Sequence, residues 1–337
     1  MRIRVGSRRS KLAMTQTGLV VDRLRELGHE VEVAPIVTEG DTNRASLSQL
    51  GGTGVFATAI RNAMRDKQID LTVHSLKDLP TAPADGLTIA AIPRREDPRD
   101  ALVARDGLTL GQLPQGAVIG TGSPRRVAQL AALGLGLATR DIRGNVDSRI
   151  AMVRSGELDA VVLARAGIAR LGRLEEITEA IDPLQMLPAP GQGALALEIR
   201  AEDAELYDVV RQLDDPDTRA AVTAERAVLA RLEAGCSAPL GALAEVGEDV
   251  DGALELSLRA FVGRTDGSFD LRRSATGPIE DAERLGHHVA QLLLDDGAAE
   301  AFAPSDDPPE PAPGGHLPRG ADPVTDNHPP APRSVNK

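Results

Sequence analysis

Short runs in which apolar and polar residues alternate give way to runs with apolar residues at helical spacing, and the two patterns take turns along the first half of the chain. Residues 2–6 predict a strand and 10–27 a helix, with Ser10 as N-cap and Gly28 closing the helix. The alternation returns as a strand over 30–37, followed by a helix near 56–65 and strands at 70–74 and 87–92. Strand and helix taking turns at this pitch predict an α/β unit on a largely parallel sheet. A second set follows the proline- and charge-rich segment 93–100, with strands at 101–104, 117–120, 139–142 and 160–163. Its helices begin near Pro124 and Val146, and Pro124 directly after Ser123 suits the first helical position, where an N–H is not needed. The turn PAPGQG at 188–193 closes this set, and the apolar run ALALEI after it is suited to rejoin the first unit. That would leave a cleft between two lobes with two crossing strands.

The pattern changes from Asp217. A long helix reaches Leu232, the segment GCSAPLGALA follows, and two β-like stretches at 254–262 and 269–276 precede a helix over 279–294. This predicts a small α+β domain. Beyond Phe302 prolines and aspartates dominate, and so few apolar residues cannot offset the entropy of ordering the chain. The expected division is therefore lobe 1 from 1–95 and 194–213, lobe 2 from 99–190, an α+β domain at 216–302, and a disordered, acidic, proline-rich tail at 303–337. No apolar run reaches the roughly 18 residues of a membrane span, and the N-terminus lacks the apolar stretch of a secretory signal, so a cytoplasmic address is expected.

Composition narrows the function classes. A net charge of −12 and aromatic residues at 1% argue against nucleic acid, whose binders need a basic footprint or stacking platforms. The six histidines are scattered and none lies at zinc-binding spacing from the single cysteine, Cys236, so neither a metal site nor an internal disulfide is expected. Of the 38 basic residues only Lys11, Lys67, Lys77 and Lys337 are lysines. Two readings fit this skew: a halophile's adaptation to high salt, with a hydrated acidic surface, or codon bias in a GC-rich genome.

The candidate chemistry begins with arginines at strand-to-helix turns: Arg8 and Arg9 in GSRRS, Arg125 and Arg126 in GTGSPRR, Arg143 and Arg149 in IRGNVDSR. Such turns lie at the carboxyl ends of strands, where α/β sheets bind ligands, and helix N-termini there favour anions. Arginine adds planar, bidentate donors suited to carboxylate or phosphate. The plainer alternative is that these arginines pair with the abundant surface acids. No phosphate-binding loop of the nucleotide kind is present, since LGGTGVF at 50–56 is glycine-rich but lacks the lysine; it reads as a mobile lid. In VHSLKDLP a strand ends in Ser75, Lys77 and Asp78. An aspartate among cations stays ionised and can stabilise developing positive charge or manage protons on a departing amine; a surface Lys–Asp pair is the alternative. Cys236, on the turn EAGCSAPLG, is open to two readings, a small buried hydrophobe or a reactive tether.

Taken together, GSRRSKLA, LGGTGVF, VHSLKDLP, PRREDPRDAL, GTGSPRR, IRGNVDSR, LARAGIARLG, PAPGQGAL and EAGCSAPLG, in this order over residues 2–300, resemble the porphobilinogen deaminase (hydroxymethylbilane synthase) family. The resemblance implies an α/β fold of two type II periplasmic-binding-protein-like lobes plus a small α+β C-terminal domain. It also implies a covalent dipyrromethane cofactor held by a thioether to Cys236. Porphobilinogen would be the substrate, four molecules being deaminated and joined head to tail onto that primer before water releases hydroxymethylbilane.

By residue-by-residue match Asp78 is the catalytic aspartate. Ser10, Ser75, Lys77, Thr121, Ser123, Arg125, Arg126 and Arg149 would bind the cofactor; Arg8, Arg143 and Arg170 would bind substrate. Phe56 lies in the lid and Gln192 in the interdomain turn. The match departs at Gln49 and Thr53, where many bacterial members carry lysines, and at Lys11, where proline is common. No membrane and no obligate protein partner is implied, and a monomer is expected. The rivals are a solute-binding module on the same two-lobed fold, which has no need of Cys236, and a nucleotide-dependent transferase, disfavoured by the missing phosphate loop.

Overall fold

Three sheets organise the protein in a computed structural model that describes residues 1–36, 54–232, 238–248 and 250–302. The first is built from β1 (Arg2–Arg8), β2 (Glu30–Ile36), β3 (Leu71–Ser75), β4 (Leu87–Ala91) and a much later strand, β10 (Leu195–Arg200), in the order β2-β1-β3-β10-β4. Ile3, Val5, Leu71 and Leu197 bury one face of this sheet against Val20, Val21 and Leu24 of helix α1 (Lys11–Glu26). The helix begins where expected, since Ser10 Oγ accepts from the Ala13 N–H at 3.3 Å. It ends at Leu27, and the chain escapes through Gly28 at φ 85°, a left-handed conformation that costs glycine nothing.

The second sheet repeats the plan with β5 (Asp100–Ala104), β6 (Val118–Gly120), β7 (Ala138–Arg140), β8 (Ala160–Ala164) and β9 (Glu179–Ala180), in the order β7-β6-β8-β5-β9. In each sheet four strands point the same way, and the fourth position is held by the one strand that opposes them, β10 between β3 and β4, and β5 between β8 and β9. The sheets are therefore mixed, a correction to the largely parallel sheet expected from the strand–helix alternation. The reason is topological: β5 and β10 are the strands that enter each sheet from the segments linking it to the other. Two sheets with this shared order give a two-lobed α/β arrangement.

Helices α2 (Gly54–Arg65), α3 (Pro124–Ala132), α4 (Val146–Arg154), α5 (Arg165–Arg170) and α6 (Ala204–Val210) complete this region. The last two, and β9, were not expected from the sequence, because six, seven and two residues are too few to express a period.

The third sheet is antiparallel: β11 (Leu240–Glu248), β12 (Leu254–Gly263) and β13 (Asp270–Pro278). It packs on α7 (Pro216–Arg231) and α8 (Ala282–Asp295) around Val228, Leu256, Leu258, Val289 and Leu293. Only two strands were expected here. β11 reads LGALAEVGE, and its alanines and glycines are weak strand formers that hide its alternation. Among the described residues no helix is long and apolar enough to cross a membrane.

Candidate functional site

The two linking segments lie side by side and are fastened by side chains rather than by a continuous ladder. Gln192 is fully buried; its Nε2 donates to Pro98 O at 2.7 Å and to Asp100 Oδ1 at 2.9 Å. Arg95 Nε donates to the Gln192 carbonyl at 2.7 Å, and its two Nη atoms reach the carboxylate of Glu225 on α7 at 2.6 and 3.0 Å. That carboxylate also accepts from the Gly191 N–H at 2.6 Å and the Ala244 N–H at 3.0 Å. A buried carboxylate is tolerated when paired and hydrogen-bonded in this way, and here it ties both segments to the third domain.

Asp100, the first residue of β5, is the electrostatic centre. Arg125 and Arg126 sit in the first turn of α3, both almost wholly buried, and each places an Nη2 2.8 Å from one oxygen of the Asp100 carboxylate. Burial alone would push the Asp100 carboxyl up, but the two guanidinium charges and the hydrogen bonds from Arg126 and Gln192 hold it well below the usual carboxylate range. Arg126 Nη1 also donates to Val162 O at 2.9 Å, and Arg125 Nη1 to Leu187 O. One carboxylate thus serves two buried guanidiniums, and burial lowers the Arg125 pKa more than Asp100 restores it. The Nε atoms of both arginines are buried with no hydrogen-bond partner among the described residues.

Positive charge continues past this pair. Arg149, on α4, donates Nε to Gly144 O at 2.9 Å and forms no ion pair among the described residues. Burial lowers its pKa, the charges of Arg126 and Arg143 lower it further, and Asp141 opposes them. Arg143 is exposed, likewise without an ion pair among the described residues. Ser123 is the N-cap of α3, yet its side chain makes no capping bond; its N–H donates to Thr121 Oγ1 at 3.3 Å.

On the first lobe, β3 runs into a single 3-10 turn, Leu76–Asp78. Leu76 and Leu79 are buried, Lys77 is half-buried and Asp78 is exposed. Lys77 Nζ donates to Gln192 Oε1 at 3.3 Å; burial lowers its pKa, against the raising effect of Asp78. Asp78 forms no ion pair among the described residues, so the Lys–Asp surface pair weighed as an alternative is not what this turn forms. Ser75 Oγ accepts from Gln16 Nε2 of α1 at 3.0 Å.

The structure gathers Lys77, Gln192, Arg125 and Arg126 around Asp100, and Arg149 and Arg143 continue the positive charge beyond Arg126. Arg170 reaches the same linking segment through Gly193 O at 2.6 Å, and burial lowers its pKa against the charge of Glu96. Ser10 is occupied as a helix cap and Arg8 closes β1. Cys236, Gln49, Thr53, the side chain of Phe56 and the tail lie outside the described residues. Sequence reasoning missed Asp100, Arg95, Glu225 and Gln16. Only Asp100 carried a signal, as an acid opening the otherwise apolar run DALVA, every residue of which is buried.

A carboxylate-bearing ligand fits this donor set. The protein matches the family model described as porphobilinogen deaminase, dipyromethane cofactor binding domain, over residues 3–208, and that of the porphobilinogen deaminase C-terminal domain over 219–295. Porphobilinogen deaminase of Mycobacterium tuberculosis is 58% identical over 302 residues, covering 88% of this chain and 97% of the relative. That of Mycobacterium marinum is 57% identical over 302 residues, covering 88% and 96%. Two solved structures resemble the chain loosely. Lipoprotein Tp32 of Treponema pallidum has a TM-score of 0.40 at 11% identity, covering 63% of this chain and 90% of its own. Substrate binding domain 2 of Lactococcus lactis GlnP has a TM-score of 0.41 at 11% identity, covering 63% and 87%.

Proposed function

Because the chain belongs to the porphobilinogen deaminase family, we propose that it is a hydroxymethylbilane synthase, deaminating porphobilinogen and joining four molecules head to tail before hydrolytic release of the linear product. The observation that carries this reading is the surplus of buried positive charge around Asp100, one carboxylate shared by Arg125 and Arg126. A growing oligopyrrole bearing an acetate and a propionate on every ring needs such a lining, because arginine pairs with carboxylates bidentately.

The residues fit a dipyrromethane cofactor on the same ground. Its carboxylates would be held by Arg125, Arg126, Arg149 and Lys77, with Ser10, Ser75, Thr121 and Ser123 as hydroxyl donors and Cys236 as the thioether anchor. When bound, it supplies the terminal pyrrole carbon from which the product is built. Arg8, Arg143 and Arg170 would meet the side chains of incoming porphobilinogen. Asp78 has the role that chemistry at an amine-bearing carbon requires: loss of ammonia from the substrate leaves a cation, and an ionised carboxylate beside it lowers the barrier. The absence of a competing ion pair at Asp78 among the described residues supports this role.

The protein is taken to act as a monomer at a cytoplasmic address, and the shortage of lysine is read as salt adaptation. Intact mass of the purified chain, together with turnover of porphobilinogen, tests the assignment. The expected result is a dipyrrole added to the chain mass and formation of hydroxymethylbilane. A chain of unmodified mass that binds a dicarboxylate without turning over porphobilinogen would establish the solute-binding rival instead.

A further inference from the structure

Helix α7 carries Glu225 and Arg226 side by side, and they grip different parts of the site. While Glu225 holds the linking segments, Arg226 turns to the chain around Asp78. Its Nη1 donates to Leu79 O at 3.0 Å and more weakly to Leu76 O at 3.4 Å, and its Nη2 to Pro80 O at 2.7 Å. Four residues earlier on the same helix, fully buried Val222 packs with Leu76 and Leu79. Positions four apart share a helix face, so α7 offers the turn an apolar contact and a charged fork together.

The local backbone needs those donors. A single 3-10 turn has no continuing helix to satisfy its last carbonyls. The Leu76 carbonyl accepts from the Leu79 N–H at 3.0 Å, but those of Leu79 and Pro80 have no backbone partner among the described residues. The other side of the turn is closed by the second linking segment: Leu76 N–H donates to Ala194 O at 3.0 Å, and a Cβ on Gly191 would lie 3.1 Å from Leu76 Cγ. With Leu76 and Leu79 held inward, the two residues between the gripped positions turn away from the core, Lys77 to Gln192 and Asp78 to solvent.

We propose that Arg226 is a positioning residue for Asp78, setting the placement of its carboxylate by clamping the carbonyls on either side of it. The proposal rests on the role given to Asp78 above. A planar fork is what the geometry uses, since two nitrogens of one guanidinium reach consecutive carbonyls, and a lysine offers a single point of charge.

The test compares wild type, Arg226→Gln and Arg226→Lys as full chains, with cofactor loading read by intact mass. Arg226→Gln is expected to keep the dipyrrole adduct and a KM within about twofold, with kcat per loaded molecule lowered about ten- to hundredfold, the effect of an ångström-scale misplacement. Arg226→Lys should recover part of the loss. A lowered melting temperature with unchanged kcat per loaded molecule, or a raised KM with unchanged kcat, overturns the proposal. If Arg226→Gln does not fold, the lysine variant decides: full wild-type kcat overturns the proposal, and reduced kcat at unchanged KM upholds it. A wild-type chain with neither adduct nor turnover would instead remove the assignment of function, a result distinct from an active wild type beside an equally active variant.

Discussion

Arg95 and Glu225 meet as a two-pronged ion pair, Nη1 to Oε1 at 2.6 Å and Nη2 to Oε2 at 3.0 Å, around a fully buried carboxylate. The pair joins the first linking segment to α7. Removing one partner leaves the other charge buried, so Arg95→Ala is expected to cost about 3–5 kcal/mol of stability, read from urea unfolding. A loss under about 1 kcal/mol, the range of an exposed pair, would mean that the site opens to water.

The arginines should separate into two classes. Arg126 is held by Asp100 and Val162 O, whereas Arg149 has one backbone acceptor and no ion pair among the described residues. Arg126→Gln is therefore expected to destabilise the chain by about 3 kcal/mol, and Arg149→Gln by less than about 1 kcal/mol. Both should impair cofactor assembly or turnover. Equal losses of stability in thermal unfolding would refute this division.

Asp78→Ala should leave a folded protein bearing the dipyrrole, with turnover reduced at least about a hundredfold. Near-normal turnover would take the carboxylate out of the reaction. Cys236→Ser should yield a chain with no thioether adduct, and a normal adduct mass in that variant would move the attachment elsewhere.

Acid stability should depend on Asp70. Burial raises its pKa, but hydrogen bonds from Arg4 and Arg200 outweigh this and bring it down from 3.8 to about 2. A depressed carboxyl stabilises the fold fully above its unfolded pKa and ceases to do so as pH falls through the folded value. The contribution, about 1–2 kcal/mol after allowance for screening, should therefore fade between pH 4 and 2 and be missing in Asp70→Asn at neutral pH. Parallel pH–stability curves for the two proteins over that window would contradict it.

Salt dependence separates the two readings of the arginine-rich, acidic composition. Under salt adaptation, unfolding should shift to lower temperature when salt is removed, because acidic self-repulsion is no longer screened. An unchanged melting temperature would leave codon composition as the explanation.

Elements long enough to repeat their period were legible in the sequence: α1 and α7, sixteen residues each, and the seven-residue β1. α5, β9 and the alanine-rich β11 were not, because a short or weakly patterned segment takes its structure from its neighbours. The antiparallel seat of β10 between β3 and β4 depends on the path of the chain through the second lobe, and no local pattern records that path.

For the site the division is similar. By itself the sequence determined the chemical inventory: arginines at turns beside Gly and Ser, Asp78 at a strand end, a lone cysteine on a Gly/Ser turn, and the order of motifs that placed the chain in its family. Only the tertiary structure decided which of those charges are already paired. Asp100 lies 25 and 26 positions from the arginines it holds, and Arg95 lies 130 from Glu225. Ion pairing falls off with distance in space, not along the chain. A sequence rich in both signs of charge is compatible with many pairings, and the fold chose one that leaves Asp78 exposed and the guanidiniums of Arg125 and Arg126 sharing one carboxylate.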